Sequence, residues 1–103
     1  MHDVTADLSG RTALVTGAGR GLGWGIAVAL ARAGASVCVA DIGAVDVARA
    51  VSDIEAEGGV ALGATFDVAD GAAFGATVAD VVTTWGRIDA VVHAAIHMPL
   101  IRF

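Results

Sequence analysis

The 103-residue chain contains no lysine, no tyrosine, no asparagine and no glutamine, and only one cysteine and one proline. Every basic side chain is an arginine: Arg11, Arg20, Arg32, Arg49, Arg87 and Arg102. Whole chemistries fall with these gaps. Without lysine there is no Schiff base and no Gly-Lys-Ser/Thr phosphate loop, and without tyrosine no phenolic general acid. The single Cys38 forbids an internal disulfide and supplies no Cys pair to a metal; it agrees with a reducing, cytoplasmic setting. The only imidazoles are His2, His93 and His97. A His93–His97 metal pair would need a helix that Ile96 and Pro99 disfavour, so no metal site is expected. The net charge of −5 argues against a nucleic-acid partner. No apolar run approaches the ~20 residues of a membrane span. The first seven residues lack the basic start and apolar core of a secretory signal.

What is present describes a folding chain. Hydrophobic residues make up 56% and charged residues 17%, which excludes intrinsic disorder and predicts one domain over residues 1–103. Buried strands are predicted at Thr12-Ala13-Leu14-Val15-Thr16, at Ser36-Val37-Cys38-Val39-Ala40, over 60–66 and over 88–92. Helical spacing lies between them. Leu22, Ile26, Ala29, Leu30 and Ala33 form the first stripe, with Gly34 placed as a left-handed C-terminal cap. Val47, Val51 and Ile54 form the second, closed by Gly58-Gly59. Phe74, Val78, Val81, Val82 and Trp85 form the third and most regular, ended by Gly86. The order β-α-β-α-β-α-β predicts an α/β fold, a three-layer arrangement around an open parallel sheet of four strands in the order 3-2-1-4. Its ligand crevice should lie at the carboxyl ends of the strands. Two helices should cover one face and the third helix the other, leaving the fourth strand as a bare edge that invites self-association and makes a monomer marginally stable.

The stretch between the first strand and the first helix reads Thr16-Gly17-Ala18-Gly19-Arg20-Gly21-Leu22-Gly23-Trp24-Gly25. Gly-x-Gly-x-x-Gly fails here in every register; Thr16-Gly17-x-x-x-Gly21-x-Gly23 fits. Glycines there let the backbone turn tightly and approach a pyrophosphate, while the helix that follows points its free N–H groups at the anion. A plain flexible turn is the competing reading.

Asp41, 24 residues after Gly17, ends the second strand. Its carboxylate can accept both ribose hydroxyls of an adenosine and would repel a 2′-phosphate, which predicts NAD over NADP. Arg20 pulls toward NADP, because a guanidinium in the loop can meet a 2′-phosphate, but Ile42 offers no second cation. An ordinary helix N-cap is the alternative role for Asp41. Asp67 can accept from an adenine amino group while Val68 packs on the ring; the alternative is a cap, for which Asp70 is the better placed residue. Cys38 reads as a small buried hydrophobe. Asp46, Asp53, Glu55, Glu57 and Asp80 read as solvated helix faces.

The loop 16–23 resembles the cofactor loop of the short-chain dehydrogenase/reductases. The likeness continues through Leu30-Ala31-Arg32-Ala33-Gly34-Ala35-Ser36-Val37, Asp41, Gly58-Gly59-Val60-Ala61 and Asp67-Val68-Ala69-Asp70, to Trp85-Gly86-Arg87-Ile88-Asp89-Ala90-Val91-Val92. The resemblance implies a Rossmann fold, a nicotinamide cofactor and hydride transfer between carbonyl and alcohol. It carries cofactor contacts onto Gly17, Gly21, Leu22, Gly23, Asp41, Asp67 and Val68.

Two departures stand out. Where the family has Asn-Asn-Ala-Gly after the fourth strand, this chain has His93-Ala94-Ala95-Ile96; His93 and Ala94 then fall on the nicotinamide side, with Ile96 in place of the close-approach glycine. The family's catalytic Asn, Ser and Tyr-x-x-x-Lys lie beyond this strand and have no counterpart here. The resemblance therefore predicts the N-terminal, NAD(P)-binding half of such an oxidoreductase, a truncated chain inactive alone. The alternatives are a non-catalytic NAD-binding module and a self-associating interaction module.

Overall fold

A computed structural model of the chain describes residues 7–94. The elements are β1 (Thr12–Thr16), α1 (Gly21–Arg32), β2 (Ser36–Asp41), α2 (Ala44–Ala56), β3 (Val60–Thr65), α3 (Gly71–Trp85) and β4 (Ala90–His93). All strand pairs are parallel, and the order across the sheet is β3-β2-β1-β4. Leu14 of β1 sits opposite Cys38 of β2 and Val91 of β4; Cys38 in turn sits opposite Leu62 of β3.

The two-residue strand period divides the core between the faces. Val15, Val37 and Val39 pack with Ala27 and Val28 of α1 and with Ala50 and Ile54 of α2. Leu14, Cys38 and Ala40 face the other way, onto Val81 of α3, with Phe74, Val78 and Trp85 around it. All five residues of β1 are buried, as expected of a central parallel strand covered on both faces. Two helices thus cover one face and one covers the other. In β4, by contrast, only Val92 is partly sheltered.

The α1 stripe differs from the sequence expectation. The helix turns Gly23, Ala27 and Val28 inward, Ile26 and Leu30 flank them, and Leu22 is 68% exposed. Gly23 and Ala27 carry almost no hydrophobic signal, but their small size lets α1 approach the sheet closely, and close approach fixes which face is buried. In α3 the interior position goes to Thr77, not Val82: Thr77 is buried, its Oγ1 donates to the carbonyl of Ala73, and Val82 is 43% exposed. Asp41 extends β2 by one residue beyond the predicted run, and β4 starts two residues later than expected. Gly34 adopts the left-handed conformation just past α1, and Asp70 caps α3 by accepting from the N–H of Ala73 at 3.0 Å.

A carboxylate clasp fixes the start of β4. Asp89 accepts from the N–H of Thr12 at 2.8 Å and from Nε of Arg87 at 2.9 Å, with Arg11 at 3.4 Å. These bonds, led by Arg87, hold its carboxyl down at a pKa of about 2. Among the described residues, no helix is long and apolar enough to cross a membrane.

Candidate functional site

The loop from β1 to α1 is held by backbone geometry and by its neighbours. Gly17 and Gly21 have φ of +67° and +63°, a region that side-chain-bearing residues avoid. Gly23 is required for a different reason: a Cβ there would lie 2.0 Å from the carbonyl oxygen of Gly17. Gly19 is wedged as well, since its Cβ would meet Cβ of Asp46 at 2.7 Å and Oδ2 of Asp41 at 2.8 Å. Four glycines alternate through this segment because two must turn and two must fit.

Residue 20 is the N-cap of α1 and makes no side-chain cap bond; the first turn carries no acidic residue. The N–H groups at this helix start are therefore left for something other than the chain's own carboxylates. The same end of α3 is closed by Asp70.

Asp41 spans the gap between loop and sheet. Its Oδ2 accepts from the N–H of Gly19 at 2.8 Å and its Oδ1 from the N–H of Ile42 at 2.7 Å. It does not cap α2, whose N-cap is Gly43. Asp67 does not cap α3; its Oδ1 closes a tight turn onto the N–H of Ala69 at 2.9 Å, and its carbonyl accepts from Asp70.

At the carboxyl ends of β1, β2 and β3 these residues border a cleft of about 120 Å³, lined by Gly17, Asp41, Ile42, Asp67 and Val68, with Thr16, Ala40 and Phe66 at its floor. Five sequence-predicted residues are brought together there. Arg20 and Gly21 line a second cleft, shared with Gly19, Trp24, Arg49 and Asp53. Gly23 is buried under the loop, and Leu22 projects from the helix start. His93 and Ala94 lie across β1 from Asp41. Nδ1 of His93 is 3.2 Å from Oγ1 of Thr16, its ring leans on Phe74 with centroids 5.7 Å apart, and the N–H of Ala94 donates to the carbonyl of Thr16. Ala95 and Ile96 fall outside the described residues.

Sequence reasoning missed the second layer. Asp46 was expected on a solvated face of α2, and Arg49 carried no expected role. Instead Nη2 of Arg49 donates to the carbonyl of Gly19 at 3.2 Å and to Oδ1 of Asp46 at 2.9 Å. Trp24 donates from Nε1 to Asp53 at 3.0 Å, tying α1 to α2. The i, i+3 spacing of Asp46 and Arg49 was visible, but only the turn from β2 into α2 brings the pair against the loop. Cys38 is the inert thiol expected: burial first, then the nearby Asp80 charge, pushes its pKa to about 11. Among the described residues, no group of three or more His, Cys, Asp or Glu could hold a metal ion.

A doubly wound sheet edge, a glycine loop opening a helix and an acid ending the next strand define a nucleotide-binding class of α/β protein. The chain belongs to the short-chain dehydrogenase family, whose model matches residues 11–100. It is 45% identical over 89 residues to the peroxisomal hydratase-dehydrogenase-epimerase of Neurospora crassa, covering 86% of this chain and 9% of that protein. It superposes with a TM-score of 0.82 on a 7α-hydroxysteroid dehydrogenase complexed with NADH and 7-oxo glycochenodeoxycholic acid; the two are 34% identical over 88% of this chain and 36% of that one. A metagenomic short-chain oxidoreductase in complex with NADP matches with a TM-score of 0.77 and 34% identity, over 82% of this chain and 38% of that one. The chain thus spans about a third, or less, of the length of the relatives it matches.

Proposed function

We propose that the chain is the dinucleotide-binding portion of a short-chain dehydrogenase/reductase oxidoreductase and that it takes NAD in preference to NADP. The observation that carries this reading is the convergence of the glycine loop and Asp41 on one cleft. The residues fit the group. A Cβ at Gly23 would strike the Gly17 carbonyl and displace the loop, so glycine there keeps the loop seated on the start of α1, where no carboxylate competes.

In this reading the N–H groups at the start of α1, from Gly21 to Gly23, hold the pyrophosphate, with Leu22 packing beside it; those of Ala18 and Gly19 are already bonded to Ala40 and Asp41. Asp41 accepts the ribose hydroxyls, since each of its oxygens has a second lone pair beyond the bonds to Gly19 and Ile42. Asp67 and Val68 take the adenine edge and face. His93 and Ala94 lie toward the nicotinamide side. The bound cofactor supplies hydride transfer to or from a carbonyl carbon. No residue of this chain is assigned a proton-transfer role in that step, because it has no Tyr or Lys. The chain by itself is expected to bind without turning over. The buried free thiol of Cys38 fits a reducing, cytoplasmic compartment.

Calorimetric titration of the 103-residue chain with NAD and NADP tests the proposal. NAD binding tighter than NADP binding supports it; a folded, soluble chain that binds neither overturns it. A second reading, a self-associating module, is favoured by β4, which pairs with β1 alone among the described residues and leaves Val91 41% exposed. A multimeric elution profile without nucleotide binding would favour it.

A further inference from the structure

The second cleft, beside the glycine loop, presents two arginines. Arg20 and Arg49 line it, with Gly19, Gly21, Trp24 and Asp53. Two guanidiniums beside a loop that faces a ribose are the parts of a phosphate site. In this chain the second is engaged. Its Nη2 bridges Oδ1 of Asp46 and the carbonyl of Gly19. Asp46 is itself fixed between the loop and the β2–α2 turn: its Cβ would be 2.7 Å from a Cβ on Gly19, and its Oδ2 3.2 Å from one on Gly43. Gly19 in turn donates to Asp41. Asp46, Arg49, Gly19 and Asp41 therefore form one connected chain of contacts ending at the residue proposed to meet the ribose. Asp53, the other acid of the cleft, is held by the indole of Trp24.

We propose that Asp46 is a second determinant of nucleotide choice: by engaging Arg49 it keeps that guanidinium from joining Arg20 in a cationic pair that takes the 2′-phosphate of NADP. This rests on the dinucleotide reading above. Asp41 repels a 2′-phosphate by its own charge; Asp46 acts one step removed, by occupying the cation that would attract it. The Arg49 side chain is 54% exposed, and without Asp46 only its 3.2 Å bond to the Gly19 carbonyl restrains it. Arg20 makes no ion pair among the described residues.

The experiment is a set of NAD and NADP titrations on the full 103-residue chain, on Asp46→Asn and on Asp46→Asn combined with Arg49→Met, with circular dichroism to verify folding. Asp46→Asn keeps the shape and removes the charge, so the ion pair with Arg49 is replaced by at most a weaker, neutral bond. It should raise NADP affinity about tenfold relative to NAD, the scale of one charge-assisted hydrogen bond. Arg49→Met in that background should cancel the gain, which a purely structural role of Asp46 would not predict. Unchanged relative NADP affinity in a folded Asp46→Asn chain overturns the proposal while leaving the dinucleotide reading intact. A gain that survives Arg49→Met also overturns it, because relief of repulsion alone would then suffice. If the unmodified chain binds neither nucleotide, the dinucleotide reading fails first and this proposal falls with it.

Discussion

The N–H of Gly19 donates to Oδ2 of Asp41 at 2.8 Å, across 22 residues of chain. That bond joins the loop after β1 to the end of β2 and sets where the carboxylate points. The site's geometry and its charge therefore depend on the same side chain.

Asp41→Ala removes both functions. NAD affinity is expected to fall roughly 10- to 100-fold, the scale of hydrogen bonds to a charged group, and the NADP-to-NAD affinity ratio to rise. Asp41→Asn retains an acceptor for Gly19 and should lose less. Paired titrations read the ratio; a ratio unchanged by Asp41→Ala would reduce Asp41 to a structural tie.

Two glycines two residues apart should respond in opposite directions. Gly23→Ala forces a methyl to within 2.0 Å of the Gly17 carbonyl oxygen, so the loop must shift. A loss of about 1–3 kcal/mol of stability and loss of NAD binding are expected. Gly25→Ala meets nothing within 4 Å and lies in α1, where alanine is favoured over glycine by up to about 1 kcal/mol. Denaturant melts of the two variants test the contrast.

The Asp89 clasp makes stability depend on pH. Its folded pKa of about 2 lies below the ordinary value of 3.8. A depressed carboxyl stabilises the fold above the unfolded value and loses that contribution as pH falls through the folded one. The loss attributable to Asp89 should therefore fall between about pH 4 and pH 2. Asp89→Asn, which cannot ionise, should show a lower Tm at pH 6 and a smaller drop on acidification. Equal drops in both proteins would rule the clasp out as a source of acid sensitivity.

Cys38 should resist alkylation while the chain is folded. Burial and the raised pKa of about 11 leave little thiolate at about pH 8. Modification by iodoacetamide is expected to be slow in buffer and fast in denaturant. Fast labelling of the folded chain would mean that α3 lifts readily from the sheet, since Val81 of that helix covers the thiol's side of the core.

The order of strands and helices was legible in the residues because local signals carry it: four short apolar runs, helical spacing between them and glycines as punctuation. The loop and the acid after β2 were legible for the same reason, since close backbone approach demands glycine and a strand end exposes its last side chain. The inner face of α1 was not. Hydrophobicity favours Leu22, but a helix rotates to bring its smallest residues against a loop, and Gly23 decides that rotation. The Asp46–Arg49 contact with Gly19 was not legible either. Its partners are 27 and 30 residues apart in the chain, and only the parallel pairing of β1 with β2 makes them neighbours. The sequence by itself determined where the backbone turns and approaches closely, because glycine alone permits both. The tertiary structure decided which charges stand beside it, because charge proximity depends on how separate elements pack.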